Sequence, residues 1–175
     1  MRAFEIVACL NRLFSDFDRL AEDVGAEKIK TIGDSYMAAV GLPVPRRNHA
    51  RIAAKLALDL VTAAQRLQSS LPAPFPIRVG VHSGPVMAGV IGTRKFAYDV
   101  WGDTVNIASR IEAASQPNRV LMSATTAKHV GNDFKLDGPH KIETKEHRMV
   151  DTFFISRNSE QSGQLQGPGT RFVAS

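Results

Sequence analysis

Tyr98-Asp99-Val100-Trp101-Gly102-Asp103-Thr104-Val105-Asn106-Ile107-Ala108-Ser109-Arg110 sets a carboxylate, an amide and a guanidinium along one strand-to-helix junction. Phe96, Tyr98 and Val100 alternate as strand residues do. Gly102 interrupts them, and Asp103 or Thr104 can cap a helix whose apolar side is Val105, Ala108 and Ile111. Asn106 and Arg110 stand four residues apart, so they share one face of that helix, beside the end of the strand that carries Asp99. Taken singly, each has an ordinary structural explanation: a helical Asn or Arg is commonly a solvated surface residue, and an Asp at a strand end a turn or cap. The combination at one junction is what points to a site.

Outward from this junction the chain alternates helices and strands. Ile6, Leu10, Leu13, Phe17, Leu20 and Val24 recur at three and four, predicting a helix over about 4–24 that Gly25 ends and that packs one face on a sheet. Lys28 to Ile32 and Tyr36 to Val40 read as two strands of a hairpin with Asp34 at its tip, in Gly33-Asp34-Ser35. Pro43 and Pro45 mark a loop. A second long helix follows, from Ile52 through Leu56, Leu60 and Ala64 to Leu67, ending near Ser69-Ser70-Leu71-Pro72 and covering the sheet. Ile77, Val79 and Val81 alternate as a strand, and Ser83-Gly84-Pro85 turns the chain into Val86 to Ile91, expected as its neighbour. Gly92 to Lys95 is a turn into the strand carrying Asp99. Beyond the Asn106 helix come a strand at Val120 to Met122, a helix capped by Ser123, and short strands near Phe134 to Leu136, Lys141 to Thr144 and Thr152 to Ile155. The order of elements argues for an α+β fold, with residues 1–156 as one domain and 157–175 as a Ser-, Gly- and Gln-rich disordered tail.

Composition narrows the class without naming an activity. At 175 residues and 43% hydrophobic content the chain can bury one sizeable core. A net charge of +5 and a pI near 9.7 favour an anionic partner, yet no run of like charges concentrates them. Nucleic acid is therefore not singled out over a nucleotide or an acidic membrane surface. The single Cys9 falls at an apolar helical position and excludes an internal disulfide, which suits a reducing, cytoplasmic compartment. No apolar run approaches a membrane span, so any membrane attachment is expected only through segments outside this chain. His82, His140 and His147 have no ligand-cluster spacing and read as structural residues. Gly84, Gly89 and Gly92 lack the Lys-Ser/Thr ending of a phosphate-binding P-loop.

The junction resembles the motif of the class III nucleotidyl cyclases, which place an Asp or Cys, then Asn, then Arg at this spacing. The resemblance runs from about Phe4 to Ile155, and Glu27 to Tyr36 resembles the family's metal-site hairpin nearly residue for residue. It implies a ferredoxin-like, palm-like and mostly antiparallel sheet covered by helices. The similar turn of the diguanylate cyclases carries a Gly-Gly-Asp/Glu-Glu-Phe signature that is absent from this sequence. The implied reaction is conversion of ATP to 3′,5′-cyclic AMP and pyrophosphate, by in-line attack of the ribose 3′-hydroxyl on the α-phosphorus. Two divalent ions, Mg²⁺ or Mn²⁺, assist it, with Asp34 as a metal ligand. Lys30 and Asp99 fall on the positions that read the purine. An ammonium donates to adenine N1 and a carboxylate accepts from the N6 amino group, whereas guanine reverses both edges. Asn106 would orient the ribose, Arg110 would donate to the α-phosphate as its charge grows, and Lys145 would bind the β- and γ-phosphates.

Two departures from the family pattern bear on activity. Where the family often has a Lys-Gly-Lys-Gly run, this chain reads Lys145-Glu146-His147-Arg148. The family also takes a first metal aspartate from a strand preceding the first long helix, while Asp16, Asp18 and Asp23 all fall within or at the end of the helix here. The chain thus reads as an N-terminally shortened cyclase domain with impaired turnover by itself. It would work as a head-to-tail homodimer or with another cyclase domain, one subunit supplying metal carboxylates and the other the purine, ribose and phosphate residues. The alternative is a noncatalytic cyclase-homology domain that dimerises with or regulates a partner.

Overall fold

The computed structural model describes residues 3–68, 75–94 and 96–158. Helix α1 (Ala3–Val24) buries Cys9, Leu13, Phe17 and Ala21 along one stripe, as its three-and-four spacing requires. Gly25, at φ 67°, ends it and donates its N–H to Glu22 O at 2.9 Å. Burial pushes the Cys9 thiol pKa up, so it stays a protonated core side chain. Strands β1 (Glu27–Ile32) and β2 (Ser35–Ala39) form the expected hairpin. Ile32 pairs with Ser35, so the turn is Gly33-Asp34 alone, with the positive φ of 60° that this two-residue connection needs falling on the glycine.

This hairpin is seated by its aromatic residue. Tyr36 packs on Phe14 and Phe17, with ring centroids 5.5 and 5.3 Å apart, and donates its hydroxyl to Asp18 Oδ1 at 2.8 Å. Asp18 Oδ2 also accepts from Lys28 Nζ at 2.7 Å. Partial burial pushes the Asp18 pKa up, but the bonds from Lys28 and Tyr36 outweigh it and leave the carboxyl below its ordinary range. The stripe of α1 does not cover a broad sheet, as its periodicity alone would suggest. It meets this hairpin and helix α2 (His49–Gln68). The reason is that α2 is apolar on two sides: Leu56, Leu60, Ala64 and Leu67 face α1, while Ala50, Ala54, Ala57 and Val61 face the main sheet.

That sheet has four strands. In it β3 (Val79–Val81) pairs in parallel with β6 (Val120–Ser123), and β8 (Met149–Arg157) runs antiparallel between β6 and β7 (Phe134–Glu143). Successive residues point to opposite faces. Val120, Met122 and Ile155 pack beneath α2, and Leu121 and Phe154 pack with Ile111 of α3 (Asp103–Ala114) on the other side. Strand β4 (Met87–Ile91) is not a neighbour of β3. It pairs antiparallel with β5 (Ala97–Trp101) as a separate two-stranded ribbon. The intervening residues explain the separation: His82 is held by Ser123 Oγ at 2.7 Å, and Pro85, which has no N–H for a ladder, accepts the Thr104 hydroxyl at 2.6 Å.

Two boundaries differ from sequence expectation. The strands foreseen at 134–136 and 141–144 are one strand, β7, whose pairing shifts between Asp137 and His140 around Gly138-Pro139. Strand β8 continues to Arg157, which the sequence places in the tail, because Arg157 stands in register with Phe134 of β7; its side chain also pairs with Asp59 of α2 at 2.5 Å. The rest of that tail, from 159 onward, lies outside the described residues. Ser123 caps the four-residue helix α4 (Ala124–Ala127) as foreseen, its Oγ accepting from Thr126 N at 3.2 Å. No helix among the described residues is long and apolar enough to cross a membrane.

Candidate active site

The site is assembled around the start of α3. Gly102, at φ 139°, occupies the N-cap position, and neither Asp103 nor Thr104 caps the helix. Both side chains are used at longer range: Thr104 bonds Pro85 O, and Asp103 accepts from Arg148 Nη2 at 2.5 Å. Behind the helix, Gly80 of β3 allows a very close approach. A Cβ built there would lie 2.2 Å from Glu112 N and 2.7 Å from Ala108 O, so α3 rests directly on the backbone of β3.

Lys30 and Asp99, distant in sequence, are in contact. Lys30 Nζ donates to Asp99 Oδ2 at 2.6 Å, joining β1 to β5, and Asp99 Oδ1 accepts from Val100 N at 2.8 Å. Lys30 and then the Val100 N–H hold the Asp99 carboxyl below its ordinary range, so it is ionised and acceptor-only at neutral pH. The pair remains accessible, with side chains 39% and 20% exposed. Each group can therefore exchange its partner for a polar ligand.

Asn106, Arg110 and Lys145 meet in a second place. They line a cleft of about 120 Å³ with Asp103, Thr144 and Glu146. Arg110 Nε is buried and has no hydrogen-bond partner, one of two such side-chain atoms among the described residues. A buried guanidinium N–H left without an acceptor is costly, and Arg110 and Lys145 together give the cleft two cations that suit an anionic ligand. Asp34 lines neither place. It stands exposed at the β1–β2 turn, and no group of three His, Cys, Asp or Glu residues able to hold a metal occurs among the described residues. A hard divalent cation takes about six oxygen ligands. Asp34 by itself offers one carboxylate, so this chain's described residues do not make a complete metal site.

The histidines are structural. His82 is bonded to Ser123; burial lowers its pKa, and the nearby Asp103 only partly offsets that, which keeps the ring neutral at pH 7. His140 packs edge-on against Phe154 at 5.3 Å, and His147 bonds Glu143 at 2.5 Å.

A sequence model of the adenylate and guanylate cyclase catalytic domain matches residues 1–157. The chain belongs to this family. It is 38% identical over 169 residues to an adenylate cyclase of Mycobacterium tuberculosis, covering 95% of this chain and 38% of that protein. It is 40% identical over 156 residues to the human guanylate cyclase soluble subunit beta-2, covering 88% of this chain and 25% of the relative. Among solved structures, the guanylate cyclase domain from Catenaria anguillulae in complex with GTP superimposes with a TM-score of 0.84 at 30% identity, covering 91% of this chain and 87% of that one. The chain thus spans well under half the length of the curated relatives it matches. It is a cyclase catalytic domain, and its relatives include both adenylate and guanylate enzymes.

Sequence reasoning placed Lys30, Asp99, Asn106, Arg110 and Lys145 as site candidates, and the structure groups them into the contact pair and the cleft. It missed Arg148. The only signal was the departure from a glycine-rich run at 145–148, which says nothing of a partner 45 residues away.

Proposed function

We infer that this cyclase domain uses ATP and forms 3′,5′-cyclic AMP and pyrophosphate. The observation that carries this is the Lys30–Asp99 contact at 2.6 Å, which sets a donor beside an acceptor in the order that adenine N1 and N6 require. Against guanine, the ammonium would face the N1 donor and the carboxylate the O6 acceptor, leaving both unpaired. The guanidinium of Arg110 at this cleft supports a role on the α-phosphate, and Lys145, across the same cleft, supports one on the β- and γ-phosphates. Asn106, between Asp103 and Arg110 on one helical face, would orient the ribose.

Asp34 would contribute one ligand to Mg²⁺ or Mn²⁺, the remainder coming from the triphosphate and from carboxylates outside the described residues. When bound, such ions lower the pKa of the attacking hydroxyl and neutralise phosphoryl charge. The active unit would be a head-to-tail homodimer or a pairing with another cyclase domain. Met87, Val90, Ile91 and Phe96 along the β4–β5 ribbon are exposed, a concentration of apolar surface that suits a second cyclase domain. The single carboxylate also supports a second reading, a noncatalytic partner that regulates another cyclase domain.

The test mixes this chain with a cyclase domain that keeps its metal carboxylates but has its own Asn and Arg replaced, so that turnover reports this chain's half of the site. With Mn²⁺, cyclic AMP should form at least about tenfold faster than cyclic GMP. Arg110→Ala in this chain should lower the rate about 10²-fold or more. Equal use of GTP would overturn the nucleotide assignment. Turnover indifferent to Arg110→Ala would leave the noncatalytic reading.

A further inference from the structure

The cleft that holds Arg110 and Lys145 is also lined by two carboxylates, Asp103 and Glu146, a poor setting for a polyphosphate. Both accept from the same nitrogen, Nη2 of Arg148, at 2.5 and 2.7 Å. Their hydrogen bonds and charges hold the guanidinium more firmly protonated than usual. Asp103, Asn106 and Arg110 fall at i, i+3 and i+7 on α3, so Arg148 grips the same helical stripe that presents the other two residues.

The loop that carries Lys145 is built to deliver this grip. Thr144, almost fully buried, donates its N–H to Arg148 O at 2.9 Å, and its hydroxyl oxygen accepts from Arg148 N at 3.2 Å. His147 N donates to Thr144 O at 3.1 Å, with His147 at φ 57° closing the turn and its ring bonded to Glu143. Lys145 and Glu146 are thereby held at the tip, facing α3.

We propose that Arg148 is a positioning and charge-cancelling residue for polyphosphate binding. It ties the Lys145 loop to the start of α3 and offsets one of the two negative charges of Asp103 and Glu146, so that Arg110 and Lys145 outweigh the one that remains. This rests on the cyclase reading above for the identity of the ligand as a nucleoside triphosphate. Without Arg148 the two acids are released into the cleft and repel the phosphates.

In the mixed assay, Arg148→Ala should raise KM for ATP about fivefold while kcat changes by less than about twofold, the scale of exposed ion pairs and the signature of a binding effect. Arg148→Lys should recover part of the loss, since it keeps the charge but not the fork. Adding Asp103→Asn and Glu146→Gln to Arg148→Ala should bring KM back to within about twofold of wild type. A loop that is merely loosened would not be restored by removing two acids. Pyrophosphate binding to the full chain by calorimetry, with matched melting temperatures as a check on folding, should follow the same order without needing turnover. An unchanged KM and unchanged pyrophosphate affinity in Arg148→Ala would overturn the proposal, as would failure of the acid-removing changes to restore either one. Loss of turnover in the wild-type mixture with the pyrophosphate order intact would instead count against the cyclase reading alone.

Discussion

Gly80 is where a single methyl group should reach the active site through the backbone. An alanine Cβ at this position would lie 2.2 Å from Glu112 N, 2.6 Å from Glu112 Cα and 2.7 Å from Ala108 O. These are atoms of the α3 backbone, so no side chain can swing aside to make room. Ordinary contact begins near 3.4 Å, and α3 must therefore retreat by about 1.2 Å from β3. Overpacking typically costs about 1–3 kcal/mol, and a clash with rigid backbone belongs at the upper end. About 3 kcal/mol corresponds to a fall in Tm of about 6–12 °C for a domain of this size. Because α3 carries Asn106 and Arg110 on its far side, the same shift moves both relative to Asp99 and Lys145, and an ångström of misplacement can cost about 10²-fold in rate. Gly89→Ala on β4 is the matched control, since its Cβ would meet only Trp101 Cζ3 at 3.7 Å. Thermal melting and cyclic AMP formation in the mixed assay, run on both variants, separate the outcomes. A Gly80→Ala protein that melts within about 2 °C of Gly89→Ala would refute the claim that α3 rests on the β3 backbone.

Two further outcomes follow from the packing and the titrating groups. Ile111, fully buried between α3 and the sheet beside Leu121 and Phe154, should cost about 2–5 kcal/mol on truncation to Ala and about 0.5–1.5 on change to Val, measured by urea unfolding. His82 has its folded pKa below the ordinary 6.5, so as pH falls through that value the unfolded chain takes up a proton that the folded chain refuses, and stability drops. His82→Asn should flatten the decline of Tm between about pH 7 and 5 relative to wild type. It should leave untouched the loss at lower pH, where Asp99, depressed below 3.8 by Lys30, is finally protonated. An identical slope in wild type and variant would exclude His82 as its source.

Much of the architecture was legible along the chain because helices and strands impose covalent spacings. The three-and-four repeat of α1, the Gly33-Asp34 turn and the shared face of Asn106 and Arg110 are all consequences of local geometry. The resemblance then attached chemistry to those positions. Local spacing was less informative where two solutions satisfy it equally. An alternating segment such as Val79–Val81 must pair with something, but its pattern does not say whether the partner is the next strand or β6, 41 residues on. Likewise Asp103 has the composition of a cap, and only its distant partner decides that it is not one.

The sequence by itself determined the family, the order of elements and the side chains available for chemistry, because each of these is encoded in residue type and short-range period. Tertiary structure decided which of those side chains meet. Lys30 reaches Asp99 across 69 residues, Arg148 reaches Asp103 across 45, and Arg110 Nε is left buried without an acceptor. None of these follows from spacing, since each depends on how α3, the hairpin and the β7–β8 turn pack against one another. Packing also left Asp34 apart from both groups, exposed at the turn of its hairpin.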